Sequence, residues 1–142
     1  MKNDNRDKTV LIPGSADGLG REFSKLYAAN GYRLVMVDRD SQQLEKLAGD
    51  LQREHGTVVR TIVQDPSTDA APKNIRREIE KAGLRVDELL TRAGFRVYGP
   101  FSDAELGQEL ERICAEYRGQ GLASPTPSLS EGKTHAVMGG LR

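Results

Sequence analysis

The stretch Val10-Leu-Ile-Pro-Gly-Ser-Ala-Asp-Gly-Leu-Gly20 decides the fold expected for this chain. An apolar run comes first, three glycines follow it, and apolar residues then recur at helical spacing. We predict a strand over residues 9–12, a helix over residues 19–30 and a turn between them that contains the three glycines. In such a turn, main-chain amides and the positive end of a helix lie where a dinucleotide pyrophosphate binds.

Composition limits the classes of protein to consider. The chain has 142 residues, which suits one domain with a substantial core. Lys plus Arg and Asp plus Glu both count 21, so no basic excess indicates a nucleic acid or an anionic membrane as partner. Cys114 is the single cysteine, and no apolar segment is long enough for a signal sequence or a membrane span. We therefore expect a soluble cytoplasmic protein.

Strand and helix patterns alternate after the first helix. The predicted elements are strands over 34–37, 57–63 and 86–90, helices over 40–56, 70–82 and 102–117, and a loop over 91–101. Such alternation indicates right-handed crossovers and a sheet with helices on both faces. The predicted fold is α/β, a Rossmann-like doubly wound parallel sheet that is incomplete at about four strands.

The ends of the chain carry no such pattern. We expect residues 1–8 to form a flexible tail, residues 9–118 to form the folded region, and residues 119–142, rich in Gly, Ser and Pro, to form a disordered tail. His55 and His135 have no second ligand at metal spacing, so no metal site is predicted.

Three further features are predicted to converge on the glycine turn. In the strand order three-two-one-four, the carboxyl ends of the strands open on the crevice where the chain direction reverses. Asp38 ends the second strand, Asp65 ends the third, and Ala93-Gly94 follows the fourth. An acidic residue about twenty positions beyond the glycines is suited to bind the adenosine ribose hydroxyls.

Together these motifs resemble the cofactor-binding half of the short-chain dehydrogenase/reductase family. The resemblance covers roughly residues 9–117 and implies an NAD(P)-binding oxidoreductase region for hydroxyl or carbonyl substrates. It rests on Pro13-Gly-Ser-Ala-Asp-Gly-Leu-Gly20, Leu34-Val-Met-Val-Asp38, Asp65-Pro66, Val86-Asp-Glu-Leu-Leu90 and Ala93-Gly94. The cofactor-binding residues that it implies are Gly14, Ser15, Asp17, Gly18, Leu19, Gly20, Asp38, Arg39, Asp65, Pro66, Ala93 and Gly94.

The acidic residue bears on the choice of cofactor. Asp38 favours NAD because its carboxylate would repel the 2′-phosphate of NADP. Arg39 follows directly and is able to accept that phosphate, which leaves NADP open. The resemblance further implies that Asp65 contacts the adenine amine and that Ala93-Gly94 lies beside the nicotinamide ribose.

Several residues depart from the family pattern. Pro13 replaces a threonine and removes a backbone donor at the end of a central strand, so we expect local distortion there. Thr91-Arg92 replaces an Asn-Asn pair, and Glu116 falls where the family usually has a catalytic asparagine. Glu88 takes a normally apolar strand position, where an unpaired buried carboxylate would be costly. These exchanges suggest relaxed constraint on catalysis.

The catalytic pair that the family uses is absent from the sequence. None of its tyrosines is followed four residues later by lysine, although the family needs that pair for general acid/base chemistry. We therefore expect a truncated region with no catalytic residue, inactive alone because the Ser/Tyr/Lys half is absent. The alternative is a non-catalytic remnant or interaction module, with self-association through an exposed fourth-strand edge.

Overall fold

The longest apolar runs of the chain form the centre of one sheet with helices on both faces. The computed structural model describes residues 5–119 and 134–136. Its strands are β1 (Thr9–Pro13), β2 (Arg33–Asp38), β3 (Val59–Val63), β4 (Glu88–Leu90), β5 (Phe95–Tyr98) and β6 (Thr134–Ala136). Its helices are α1 (Gly18–Ala29), α2 (Ser41–His55), α3 (Ala71–Lys81) and α4 (Asp103–Tyr117).

The strand order is β3-β2-β1-β4-β5-β6, which confirms the predicted order of the first four strands. β1 pairs in parallel with β2 on one side and with β4 on the other, and β2 pairs in parallel with β3. All five residues of β1 are buried, as expected for a strand covered on both faces. The chain reverses direction beside β1, so a crevice opens at the carboxyl ends of β1 and β4.

The two faces of the sheet hold separate apolar clusters. Side chains alternate along each strand, so Val10 and Ile12 face α1 and α2 while Leu11 faces α3 and α4. The helices begin where the sequence predicts. The Asp40 side chain accepts a hydrogen bond from the Gln43 amide at the start of α2, and Ser102 and Glu105 form the predicted capping box of α4.

The predicted loop after β4 is wrong in part, because Phe95–Tyr98 forms the antiparallel strand β5. Gly94 turns the chain with φ +88°, and the Thr91 amide donates to the Phe95 carbonyl at 2.8 Å, which closes a hairpin. The sheet therefore has six strands, where about four are predicted. The predicted exposed edge of the fourth strand is also wrong, since β5 pairs along β4.

The ends of the chain differ from prediction where they are described. Asn5 donates to the Asn30 carbonyl at 3.0 Å, and the Lys8 carbonyl accepts from Arg33 at 2.9 Å. Residues 134–136, predicted to be disordered, pair with β5; the remaining predictions for 1–4, 120–133 and 137–142 lie outside the described residues. Within the described part, no helix combines the length and apolar character that crossing a membrane requires.

Pro13 does not distort β1. The parallel register with β2 runs without a break from Thr9 opposite Arg33 to Pro13 opposite Val37. Because Pro13 is the last residue of the strand, its missing amide removes no bond from the interior of the ladder. The predicted distortion is therefore not present.

Candidate functional site

The three glycines of the turn have different roles. An added Cβ at Gly20 would lie 2.0 Å from the Gly14 carbonyl oxygen. The first turn of α1 and the glycine turn are therefore so close together that only glycine fits at this position. Gly14 and Gly18 have φ of +63° and +56°. A Cβ at Gly18 would meet nothing within 4 Å, so this position faces open space at the start of α1.

Ser15 and Asp17 hold the turn in place. The buried Ser15 donates to the Val37 carbonyl through its amide at 3.0 Å and through its hydroxyl at 3.2 Å. Asp17 accepts from the Gly18 amide at 2.7 Å. The amides of Leu19 and Gly20 lie in the first turn of α1, where helix geometry provides no intrahelical acceptor. This end of the helix suits an anion.

Asp38 lies directly beside the turn, as the sequence predicts. Its Oδ2 accepts from the Ala16 amide at 3.0 Å, and its Oδ1 accepts from the Asp40 amide at 3.1 Å. Each carboxylate oxygen has a further lone pair, so the half-buried group can also accept from a hydroxyl of a ligand.

Asp65 and Arg39 lie together at the end of β3. The Asp65 Oδ1 accepts from the Ser67 hydroxyl at 2.7 Å and from its amide at 2.9 Å, and Arg39 Nη1 lies 3.8 Å from Asp65 Oδ2. The Ser67 hydrogen bonds, with help from the Arg39 charge, hold the pKa of Asp65 below its usual value. Arg39 is 78% exposed, and Pro66 next to this pair is buried.

The turn after β4 packs on the start of α1. An added Cβ at Gly94 would lie 3.0 Å from the Phe23 ring and 3.3 Å from Leu19 Cδ2, while Ala93 is exposed. Leu19 is 49% exposed, which is unusual for a leucine in a helix of this sheet. The structure thus brings Gly94 and Leu19 together at the β4 end of the crevice.

Arg92 and Glu116 form a paired unit at that same end. Glu116 Oε1 accepts from the Arg92 amide at 3.2 Å, and Arg92 Nη1 donates to the Glu116 carbonyl at 3.1 Å. Arg112 Nη1 lies 3.6 Å from Glu116 Oε2. Burial raises the pKa of Glu116, although the Arg92 hydrogen bond and the nearby arginines oppose the shift. The residue predicted at the catalytic asparagine position is therefore a buried carboxylate that holds Arg92.

Tyr117 lies over the glycine turn, a contact that the sequence did not predict. Its hydroxyl donates to the Pro13 carbonyl at 2.8 Å. An added Cβ at Gly14 would lie 2.9 Å from the Tyr117 hydroxyl oxygen. The Arg92 guanidinium carbon lies 5.8 Å from the ring centroid. Burial raises the pKa of Tyr117. A cavity of about 10 Å³ is left here, lined by Ile12, Pro13, Leu19, Gly20, Phe23, Leu90, Thr91, Arg92 and Tyr117.

Glu88 is buried, and its carboxylate has partners, so the cost expected for an unpaired carboxylate at this position does not arise. Its Oε1 accepts from the Tyr27 hydroxyl at 3.0 Å, its Oε2 accepts from the Tyr32 hydroxyl at 2.7 Å, and Arg96 Nη1 lies 3.5 Å from Oε1. Burial and the adjacent carboxylate raise the pKa of both tyrosines. The signal in the sequence was Tyr27 in the apolar stripe of α1, since a buried hydroxyl needs a partner.

Comparisons with known proteins agree with this geometry. The model of the family described as short chain dehydrogenase matches residues 8–115. The very-long-chain 3-oxoacyl-CoA reductase of Pyrenophora tritici-repentis is 36% identical over 93 residues, which are 63% of this chain and 27% of that protein. Oxidoreductase UcpA of Escherichia coli K12 is 40% identical over 98 residues, 68% of this chain and 36% of that protein.

One solved structure has a similar fold. The short-chain dehydrogenase of Sphingobium yanoikuyae, in complex with NADPH, matches with a TM-score of 0.57 at 27% identity. The match covers 78% of this chain and 45% of that one. With 27% and 36% coverage of the two curated relatives, the chain spans about a third of their length.

Proposed function

This chain belongs to the short-chain dehydrogenase family, and from that membership we propose that its glycine turn binds a nicotinamide dinucleotide, with NAD preferred over NADP. The protein of which these residues form the cofactor-binding part is proposed to be an oxidoreductase of hydroxyl or carbonyl substrates. In this proposal these 142 residues do not catalyse hydride transfer by themselves, because they contain no Tyr-x-x-x-Lys to supply the proton.

The observation that carries the proposal is the open space at Gly18. A Cβ there would meet nothing within 4 Å, although the same atom at Gly20 would collide with backbone. The positive φ of Gly18 favours glycine by itself, as it does at Gly56; what distinguishes Gly18 is that its open space lies against the first turn of α1 and leaves room there for phosphate oxygens. The free amides of that first turn supply the donors, and the helix dipole supplies partial positive charge.

Asp38 supports the preference for NAD. Its carboxylate accepts from the Ala16 and Asp40 amides beside the turn. In the proposed complex it also accepts from the ribose hydroxyls. A 2′-phosphate at this place would meet a fixed negative charge. Arg39 gives little compensation, because its guanidinium lies toward Asp65 at 3.8 Å and is mostly exposed.

The remaining proposed contacts are made by residues just beyond the carboxyl ends of β3 and β4 and by Leu19 in α1. Asp65 and Pro66 lie at the adenine end, and Leu19 with Gly94 lies at the nicotinamide end. When bound, the dinucleotide would supply the hydride acceptor or donor. The residues named here bind and orient it: the turn binds the pyrophosphate, and Asp38 fixes the adenosine ribose.

A matched pair of glycine variants tests the proposal. Gly18 and Gly56 both have positive φ, +56° and +66°, and an added Cβ at either meets nothing within 4 Å. Gly18→Ala and Gly56→Ala should therefore lose similar stability, about 1 kcal/mol. Only Gly18→Ala should weaken NAD⁺ binding, by about tenfold or more in a calorimetric titration, because only its methyl group lies under the phosphates.

Gly56 ends α2 and lies outside the proposed site, so it serves as the control for backbone strain. Equal affinities of the two variants would contradict the assignment of Gly18. Failure of the unaltered chain to bind NAD⁺ or NADP⁺ in a saturable manner would contradict the proposed function itself.

A further inference from the structure

The two ends of the crevice differ in how much room they leave. A dinucleotide whose adenosine ribose is bound by Asp38 crosses the glycine turn and reaches the carboxyl end of β4 with its nicotinamide. At the adenosine end, Gly18 faces open space and Asp38 is only half buried. At the β4 end, the cavity that the described residues leave beside Tyr117 is about 10 Å³.

The volume of this cavity limits the size of the ligand group that can enter it. A cavity of about 10–15 Å³ holds one water molecule, whereas sites for small organic ligands measure about 300–1,000 Å³. Tyr117 takes up the room, since its hydroxyl lies 2.8 Å from the Pro13 carbonyl and its ring covers Gly14. A nicotinamide ring does not fit this cavity while Tyr117 lies in it.

Tyr117 is held in this position by more than one contact. The preceding residue, Glu116, is bonded to Arg92 through both its carboxylate and its carbonyl. The Arg92 guanidinium also lies near the tyrosine ring. Moving Tyr117 out of the crevice therefore breaks the hydrogen bond to β1 and disturbs the bonds between α4 and the turn after β4.

We infer that this chain recognises the adenosine diphosphate half of the dinucleotide and that Tyr117 excludes the nicotinamide half from the crevice. The inference rests on the proposed dinucleotide site and specifies which part of the ligand makes the contacts. ADP-ribose and other adenosine diphosphate esters are then ligands as good as the complete dinucleotide. While Tyr117 lies in the crevice, the nicotinamide ring stays in solvent and does not make the contacts proposed for Leu19 and Gly94.

The unaltered chain provides the first test. Dissociation constants are measured by calorimetry for NADH, ADP-ribose and reduced nicotinamide mononucleotide, and the emission of bound NADH is recorded. We expect NADH and ADP-ribose, which have matched negative charge, to agree within about threefold, no measurable binding of the mononucleotide, and unchanged nicotinamide emission. NADH that binds about tenfold tighter than ADP-ribose would overturn the inference and leave the proposed function standing.

Substitution of the tyrosine provides the second test. Tyr117→Ala should tighten NADH binding by about tenfold relative to ADP-ribose, because it opens the β4 end. Tyr117→Phe keeps the ring in the crevice and should keep the ratio of the unaltered chain. Tyr98→Ala serves as the control, since Tyr98 packs on Arg96 in β5 rather than on the glycine turn.

An unchanged ratio in a folded Tyr117→Ala variant would also overturn the inference. Should that variant not fold, the measurements on the unaltered chain and on Tyr117→Phe still decide the question. If neither NADH nor ADP-ribose binds to the unaltered chain, the proposed function fails and the inference fails with it.

Discussion

The two ends of the crevice hold their residues by different means. At the β1–β2 end, side chains such as Ser15 and Asp38 bond to backbone groups of the turn, and the surface at Gly18 is open. At the β4 end, the charged side chains of Arg92 and Glu116 bond to each other's residues, and below that end Glu88, at the start of β4, bonds to Tyr27 and Tyr32. Glu88 and Glu116 are both 4% exposed. Hydrogen bonds to backbone groups stabilise the first end, and interactions of buried charged side chains stabilise the second.

The residues predicted to depart from the family pattern lie mostly on the side of the second end. Glu88, Arg92 and Glu116 all lie at or below the β4 end, and each has partners that this chain itself supplies. Pro13, on the border between the two ends, has its carbonyl bound by Tyr117. The unusual residues are thus parts of local networks, and a change in one member is expected to leave another buried without its partner.

The largest effect is expected from Arg96→Met. The change leaves the Glu88 carboxylate buried with only two tyrosine hydroxyls, so the free energy of unfolding should fall by about 3–5 kcal/mol. Adding Glu88→Gln should recover part of the loss, because the amide carries no charge. Urea unfolding followed by circular dichroism measures both.

Arg60→Met provides the control, since Arg60 is exposed on β3 and should lose less than about 0.5 kcal/mol. A loss for Arg96→Met no larger than that of the control would mean that the buried ion pair of Arg96 and Glu88 does not stabilise β4.

The next effect is a loss of stability at high pH. Burial raises the folded-state pKa of Tyr27, Tyr32 and Tyr117 above the ordinary 10.0. A raised pKa gives stability that is complete below pH 10 and is lost as the pH rises toward the folded-state value. Each tyrosine should lower the free energy of unfolding by about 1.4 kcal/mol per pH unit above 10.

Burial also raises the pKa of the Cys114 thiol to about 11, so this group adds to the loss from pH 9 upward. Unfolding measured at intervals from pH 9 to pH 11.5 tests the sum, and Tyr117→Phe should remove the share of one tyrosine. Constant stability over this range would show that these hydroxyls are not buried as described.

The smallest effect concerns the open end. Asp38→Ala should change the ratio of NADP⁺ to NAD⁺ affinity by about tenfold in favour of NADP⁺, because it removes the charge that opposes a 2′-phosphate. Titrations at equal ionic strength measure the ratio. Asp50→Ala, which removes a surface carboxylate of α2, should leave the ratio unchanged. An unchanged ratio in Asp38→Ala as well would argue against the assignment of Asp38.

Much of the β1–β2 end was predictable from the sequence because its determinants are local. Gly14, Gly18 and Gly20 lie within seven positions, and Asp38 ends a strand whose apolar run shows in the sequence. Hydrophobic periodicity orders the strands, and the rule for parallel sheets then brings their carboxyl ends together. The hydrogen bond from the Ala16 amide to Asp38 follows from that arrangement.

The β4 end was less predictable because its determinants are distant in sequence. Glu88 meets Tyr32 across 56 positions, and Tyr117 meets Pro13 across 104. Hydrophobic periodicity is judged over a short window of consecutive residues, and neither contact lies within such a window. β5 was missed for another reason: Phe95–Tyr98 is only four residues long, although Gly94 before it was a hairpin signal.

The contact between Gly20 and Gly14 has a mechanical consequence for α1. The helix bears directly on backbone at its first turn, and seven residues farther along, about 10 Å down its axis, Tyr27 is bonded to Glu88. The helix cannot tilt without a collision between Gly20 and Gly14 or the loss of the hydrogen bond between Tyr27 and Glu88. We therefore expect the turn to keep its shape when a ligand binds, so that a ligand has to match that shape.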